Sequence, residues 1–229
     1  MTPQILSLEH RITLPRQPTA RPPVAVLLHG VGSDEHVLLE RVKHKLDPRF
    51  LIVSIRAPYP LHPRGYGWFH VEFSAQGPKI QPEEAEDSRR KLLAFIPELR
   101  DAYPLDPQRV FLVGFSQGAI LAASVALSAP PGLVAGTAML SGRVLPELAP
   151  HLAPLENLRQ RPFFVAHGLG DTTLPILHAR ATRTTLATLG VNQTYLEFEA
   201  GHEIIPAMLE DLLLWHTALL ERETATATL

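Results

Sequence analysis

The sequence predicts an α/β fold built on a mostly parallel sheet, and three observations carry that reading. Short apolar runs rich in Val, Ile, Leu and Phe recur along the chain. Most are continuous rather than alternating, as strands covered on both faces are. Longer stretches with helical spacing separate them, and such repeated strand–helix alternation is the pattern of a parallel sheet flanked by helices.

Taken in order, "ILSLEHRITL" (5–14) reads as an edge strand or hairpin within residues 1–20. The strand runs that follow are "VAVLLHG" (24–30), "FLIVSI" (50–55), "RVFLVGF" (109–115), "LVAGTAML" (133–140), "PFFVAHG" (162–168) and "QTYLEFE" (193–199). Together they make a sheet of about seven strands. Helices are expected at 34–46, 82–101, 117–129, 174–189 and 203–221. Pro82 followed by Glu83 and Glu84 suits a first turn, where a missing N–H is harmless and the helix dipole favours acids. Gly190 stands where a helix would stop. "RQPTARPP" (16–23) is the only linker-like stretch and lies too near the N-terminus to separate two domains. A single domain over 1–229 is expected, with a flexible tail at 222–229.

Composition removes several function classes. An apolar share of 45 % suits a globule with one sizeable core. A net charge of −2 leaves no electrostatic footprint for nucleic acid or an anionic membrane surface. Arg89-Arg90-Lys91, the densest basic run, reads as the solvated face of a helix. With no cysteine there is no disulfide, no thiolate metal site and no cysteine nucleophile. The 11 histidines show no H-E-x-x-H or other ligand spacing, so neither a metal nor another cofactor is expected. The N-terminus has no basic region followed by an apolar stretch, and no apolar run approaches a membrane span. The expectation is a cytoplasmic protein without stable membrane insertion.

In such sheets the chemistry sits at the carboxyl ends of the strands. Four strand ends carry candidates. Gly114-Phe115-Ser116-Gln117-Gly118 joins an apolar strand to a Gly/Ala-rich helix. A nucleophile on a sharp strand-to-helix turn needs such small neighbours, although a serine there could equally cap the helix. The motif arises by chance roughly 0.07 times in a chain of this size, so alone it does not decide. In "HGLGDTTLP" (167–175), Asp171 reads as a turn or cap residue, or as the carboxylate that orients a histidine. In "EFEAGHEIIP" (197–206), His202 stands on a loop from which a general base could reach the nucleophile's strand. Glu199 and Glu203 are too close in sequence to His202 to reach its ring from the far side. "LLHGVGSDEHVLLE" (27–40) offers a backbone N–H, assigned to Val31. With the N–H of Gln117 it would form a two-donor oxyanion hole. Gln117 is expected to act through its backbone rather than its side chain. His29 reads as a structural hydrogen-bonding residue, and Asp34 as a cap for the helix that follows. Ser116, Asp171 and His202 fall in the order Ser…Asp…His, each after a strand end, with the donor loop upstream. That joint placement points to a serine hydrolase.

With those residues in hand, the chain resembles the carboxylesterase/lysophospholipase family of small α/β-hydrolases, which includes acyl-protein thioesterases. The likeness runs from about residue 20 to 221. It rests on "LLHGVGSDEHVLL", "IRAPYPLHPRGYGWF", "LDPQRVFLVGFSQGAILA", "MLSGRVLP", "VAHGLGDTTLPILHARATRTTLATLG" and "AGHEI". The resemblance implies an α/β-hydrolase fold, and no insertion is long enough for a large lid domain. It makes Ser116 the nucleophile, His202 the base and Asp171 its partner, acting on a small-molecule ester or acyl substrate. Short to medium acyl esters are expected, with thioesters or lysophospholipids as variants. Trp68 and Phe69 match an aromatic pair that would line the substrate pocket or pack the core, and Leu174 is assigned to substrate binding with them. Val37 and His70 stand where many bacterial relatives carry acids, which bears on the pocket rim and not on the triad. A homodimer is an expectation of the resemblance, with no interface located by the sequence. The alternative is a non-catalytic ligand-binding or scaffold protein on the same fold.

Overall fold

Strands that are apolar along their whole length need cover on both faces. The computed structural model, which describes residues 5–74, 77–159 and 161–226, supplies it around a sheet of seven strands. In chain order the strands begin with His10–Thr13 (β1), Val24–Leu28 (β2) and Leu51–Ile55 (β3). Two ribbons follow, Tyr59–Pro60 (β4) with Tyr66–Gly67 (β5) and Val71–Ser74 (β6) with Gly77–Ile80 (β7). Val110–Phe115 (β8), Gly136–Leu140 (β9), Pro162–Gly168 (β10) and Asn192–Phe198 (β11) complete the set. The helices are Val37–Val42 (α1), Pro82–Ala102 (α2), Gln117–Ser128 (α3), Leu155–Leu158 (α4), Ile176–Thr188 (α5) and Pro206–Thr226 (α6), with a 3-10 helix at Pro146–His151.

The sheet order is β1-β3-β2-β8-β9-β10-β11, with β1 antiparallel at its edge and every other pair parallel. This is the α/β-hydrolase architecture expected from the sequence. Alternate residues divide the core between the two faces. Val24, Val26 and Leu28 of β2 pack with Phe95 of α2 and Leu121 of α3 on one side. Ala25 and Leu27 pack with Leu39 of α1 and Leu212 of α6 on the other. From β2 the chain winds outward to β3, then returns to lay β8 on the other flank of β2. The strand order reverses there, so a crevice opens at the carboxyl ends of β2 and β8.

Several elements differ from the sequence expectation. The helix expected at 34–46 is shorter, because 34–36 form a turn in which Asp34 Oδ1 accepts the N–H groups of His36 (2.8 Å) and Val37 (3.2 Å). The segment 59–80 is not plain loop but two ribbons, too short and too rich in Pro and Gly to show strand periodicity. Helix α6 runs to Thr226 and takes in 222–226 of the expected tail, while 227–229 lie outside the described residues. Among the described residues, no helix is long and apolar enough to cross a membrane.

The backbone is closely packed where α3 leaves β8. A Cβ added at Gly118 would overlap the carbonyl of Leu28 on β2, and one at Gly114 would overlap Gly118 itself. Both obstacles are backbone, which cannot swing aside. Gly118→Ala is therefore expected to destabilise the fold by about 3 kcal/mol or more. In a chain of this size that lowers Tm by roughly 6 to 12 °C. Thermal denaturation checks it; an unchanged Tm would mean that β2 and α3 are not in such contact.

Candidate active site

Ser116 occupies the single residue between β8 and α3, at φ 54° and ψ −118°. A residue with a Cβ avoids this region, at an expense of order 1–3 kcal/mol. The surroundings hold it there. Its N–H donates to Leu140 of β9 (2.9 Å), and its carbonyl accepts from Ala119 (3.0 Å) and Ile120 (3.1 Å). The side chain is thereby turned outward toward the crevice, where a capping serine would have turned back onto its helix. No side-chain cap bond is made.

Two other strand ends meet it. His202 Nε2 lies 2.8 Å from Ser116 Oγ, and His202 Nδ1 lies 2.7 Å from Asp171 Oδ2. An ionised carboxylate only accepts, so Nδ1 carries the proton and Nε2 is left to accept from the hydroxyl. Asp171 fulfils both roles considered for it. Its Oδ1 accepts the N–H groups of Thr173 (3.0 Å) and Leu174 (2.7 Å), closing the turn, while Oδ2 faces His202. The carboxylate is fully enclosed and the imidazole only slightly exposed. Neither Glu199 nor Glu203 takes that place.

The sequence reading passed over His167. Fully buried on β10, its Nε2 is 2.7 Å from the Leu174 carbonyl and 3.2 Å from Asp171 Oδ2. Both partners only accept, so this nitrogen bears hydrogen and turns its positive edge to the carboxylate. Burial pushes its pKa down, keeping the ring neutral. The signal was present in "HGLGD", where a strand-end histidine precedes Asp171 by one short loop.

The cleft above Ser116 has a volume of about 60 Å³ and is walled by Val31, Phe69, Val71, Ile80, Ile120 and Leu174, with Gln117 beside the serine. Phe69 and Leu174 thus stand where substrate binding would place them. Trp68 does not. It is wholly buried, its indole N–H donates to the His29 carbonyl (2.9 Å), and its ring packs on His29. A buried indole needs a partner for its N–H, and that need draws it into the core. Gln117, expected to act through its backbone, also engages its side chain. Its Oε1 accepts the backbone N–H of Trp68 and its Nε2 donates to the Phe69 carbonyl, both at 2.7 Å. The side chain ties the wall of the cleft to the helix that follows Ser116.

The donor loop after β2 is clamped from the opposite side. His29 Nε2 accepts the Ala57 N–H (3.1 Å) and its Nδ1 donates to the Gly30 carbonyl (2.8 Å). Burial holds this ring below its ordinary pKa, as the acceptor role requires. Gly32 donates to the Tyr66 carbonyl (2.9 Å) and Tyr66 to that of Ser33 (2.8 Å). Glu35, with no exposed side-chain surface, accepts two bonds from Arg56, at 2.7 and 2.6 Å. Val31 is left on the rim beside Ser116, half exposed.

A sequence profile described as Phospholipase/Carboxylesterase matches residues 9–218. The chain belongs to that family. Membership makes it a hydrolase of the serine esterase/phospholipase type. Among solved structures of like fold is esterase PE8, 24 % identical over 93 % of this chain and 100 % of its own, TM-score 0.80. A Bacillus cereus carboxylesterase is 18 % identical over 93 % and 95 % of the two chains, TM-score 0.78. Arabidopsis thaliana SOBER1 is 21 % identical over 86 % and 99 %, TM-score 0.73. Of the two positions expected to bear on the pocket rim, Val37 is exposed on α1 and His70 pairs with Glu84 at 2.9 Å. Neither lines the cleft.

The Glu35–Arg56 pair gives this phospholipase/carboxylesterase chain a testable acid response. Burial by itself raises the Glu35 carboxyl, but the hydrogen bonds from Arg56 outweigh it and hold the pKa at about 2, below the ordinary 4.5. A carboxylate depressed in the folded state adds stability that is complete above about 4.5 and lost as pH falls toward 2. The full contribution is on the order of 3 kcal/mol. Glu35→Gln should therefore be clearly less stable than the parent at pH 7, with the gap narrowing below pH 4.5. Denaturant melts across pH measure this; a gap independent of pH would contradict the assignment.

Proposed function

We propose that the protein is a cofactor-independent carboxylic ester hydrolase that works through an acyl-enzyme on short to medium acyl esters. Thioesters and lysophospholipids are variants of the same chemistry. The observation that carries the reading is the continuous hydrogen-bonded path Ser116–His202–Asp171 ending in the cleft.

In the first half-reaction Ser116 Oγ bonds to the acyl carbon while its proton passes to His202 Nε2. The ester C–O bond then breaks and the departing alcohol takes that proton. In the second half, a water gives a proton to His202 and adds its oxygen to the acyl carbon. The bond to Ser116 Oγ breaks, the proton returns to the serine and the acid leaves. Asp171 stabilises the imidazolium in both halves. The N–H groups of Val31 and Gln117 are assigned to the oxyanion, with the N-terminus of α3 adding its positive dipole end. The cleft at Ser116 is small, about 60 Å³, which favours short acyl groups.

A series of 4-nitrophenyl esters from acetate to octanoate tests the proposal. The parent should turn over the shorter members, and Ser116→Ala should lower kcat/KM by about a thousandfold or more. Equal turnover by the variant, or none by the parent, would refute it.

A further inference from the structure

Arg143 plays no part in the triad, yet it lies on the wall of the Ser116 cleft. It follows β9, the strand next to β8, and also lines a second, larger cavity of about 310 Å³. Leu145, Leu148, Leu152 and Ala181 give that cavity apolar walls. Among the described residues Arg143 is the only charged one lining the cleft, the sole other titratable group on the cavity is His178, and no carboxylate lines either space. Burial, together with the Arg143 charge, holds His178 below its ordinary pKa, so at neutral pH the positive charge there belongs to Arg143 alone. Among the described residues Arg143 forms no ion pair, and its Nε is buried without an acceptor. A guanidinium presents five N–H donors in a planar fork, and one left without an acceptor beside a nucleophile is open to an anion.

We propose that Arg143 recognises a carboxylate carried by the substrate, so that preferred esters are half-esters of dicarboxylic acids. This rests on the ester hydrolase reading above and adds the substrate class to it. The scissile carbonyl stands at Ser116, an aliphatic spacer runs along the apolar wall, and the free carboxylate meets the guanidinium. A planar two-oxygen anion matches the two Nη groups at the end of the guanidinium fork.

The probes are mono-4-nitrophenyl adipate and 4-nitrophenyl hexanoate, which share the acyl length and differ in the terminal carboxylate. Hydrolysis of the first yields adipate and 4-nitrophenol. The parent should prefer the adipate. Arg143→Met should lower the adipate-to-hexanoate ratio of kcat/KM by about tenfold or more, mainly through KM for the adipate. Arg143→Lys should fall between, keeping the charge and losing the fork. Because the ratio is taken within each protein, a loss of folded material moves both rates and leaves it unchanged. A protein that cleaves the hexanoate, with the same ratio in the parent and Arg143→Met, overturns this inference while leaving the hydrolase reading standing. A protein that cleaves neither ester overturns both.

Discussion

The site depends on one backbone conformation, the positive φ of Ser116. Left to itself a serine at φ 54° would relax into an ordinary turn. It cannot, because β8 is hydrogen-bonded between β2 and β9 and α3 is pressed onto Leu28 at Gly118. The N–H of Ser116 is spent on Leu140, and its carbonyl starts the helix. The seven-stranded core thus holds a local strain, and that strain projects Oγ toward the crevice.

What Oγ meets there comes from elements remote in sequence but adjacent in the sheet. Strands β10 and β11 deliver Asp171 and His202 at their carboxyl ends, and parallel pairing keeps the two loops level. Asp171 is oriented by backbone N–H groups, faced by a buried neutral His167 and aimed at His202. The same carboxylate closes the turn that positions Leu174 on the cleft. The cleft wall at Leu174 and the Asp171 carboxylate therefore cannot shift independently.

Much of this could be read from the chain. Continuous Val/Ile/Leu runs announce buried parallel strands because each residue's environment is the same on both faces, and strand-end Ser, Asp and His stand out against them. What escaped reading consists of contacts between distant segments. Trp68 and Phe69 look equivalent in sequence, yet the indole N–H finds the His29 carbonyl and enters the core while its neighbour faces the cleft. Gln117 acts through a side chain whose partners lie 48 and 49 residues away. The pairing of Glu35 with Arg56 left no periodic trace, and neither did the ribbons at 59–80, whose strands of two and four residues are too short for one.

The central claim is that Ser116, strained outward and hydrogen-bonded to His202, is a reactive nucleophile. Covalent labelling by a fluorophosphonate followed by peptide mass mapping tests it most directly. One adduct per chain is predicted, on the peptide that contains Ser116. An unlabelled protein, or label on another residue with the Ser116 peptide unmodified, would contradict the account.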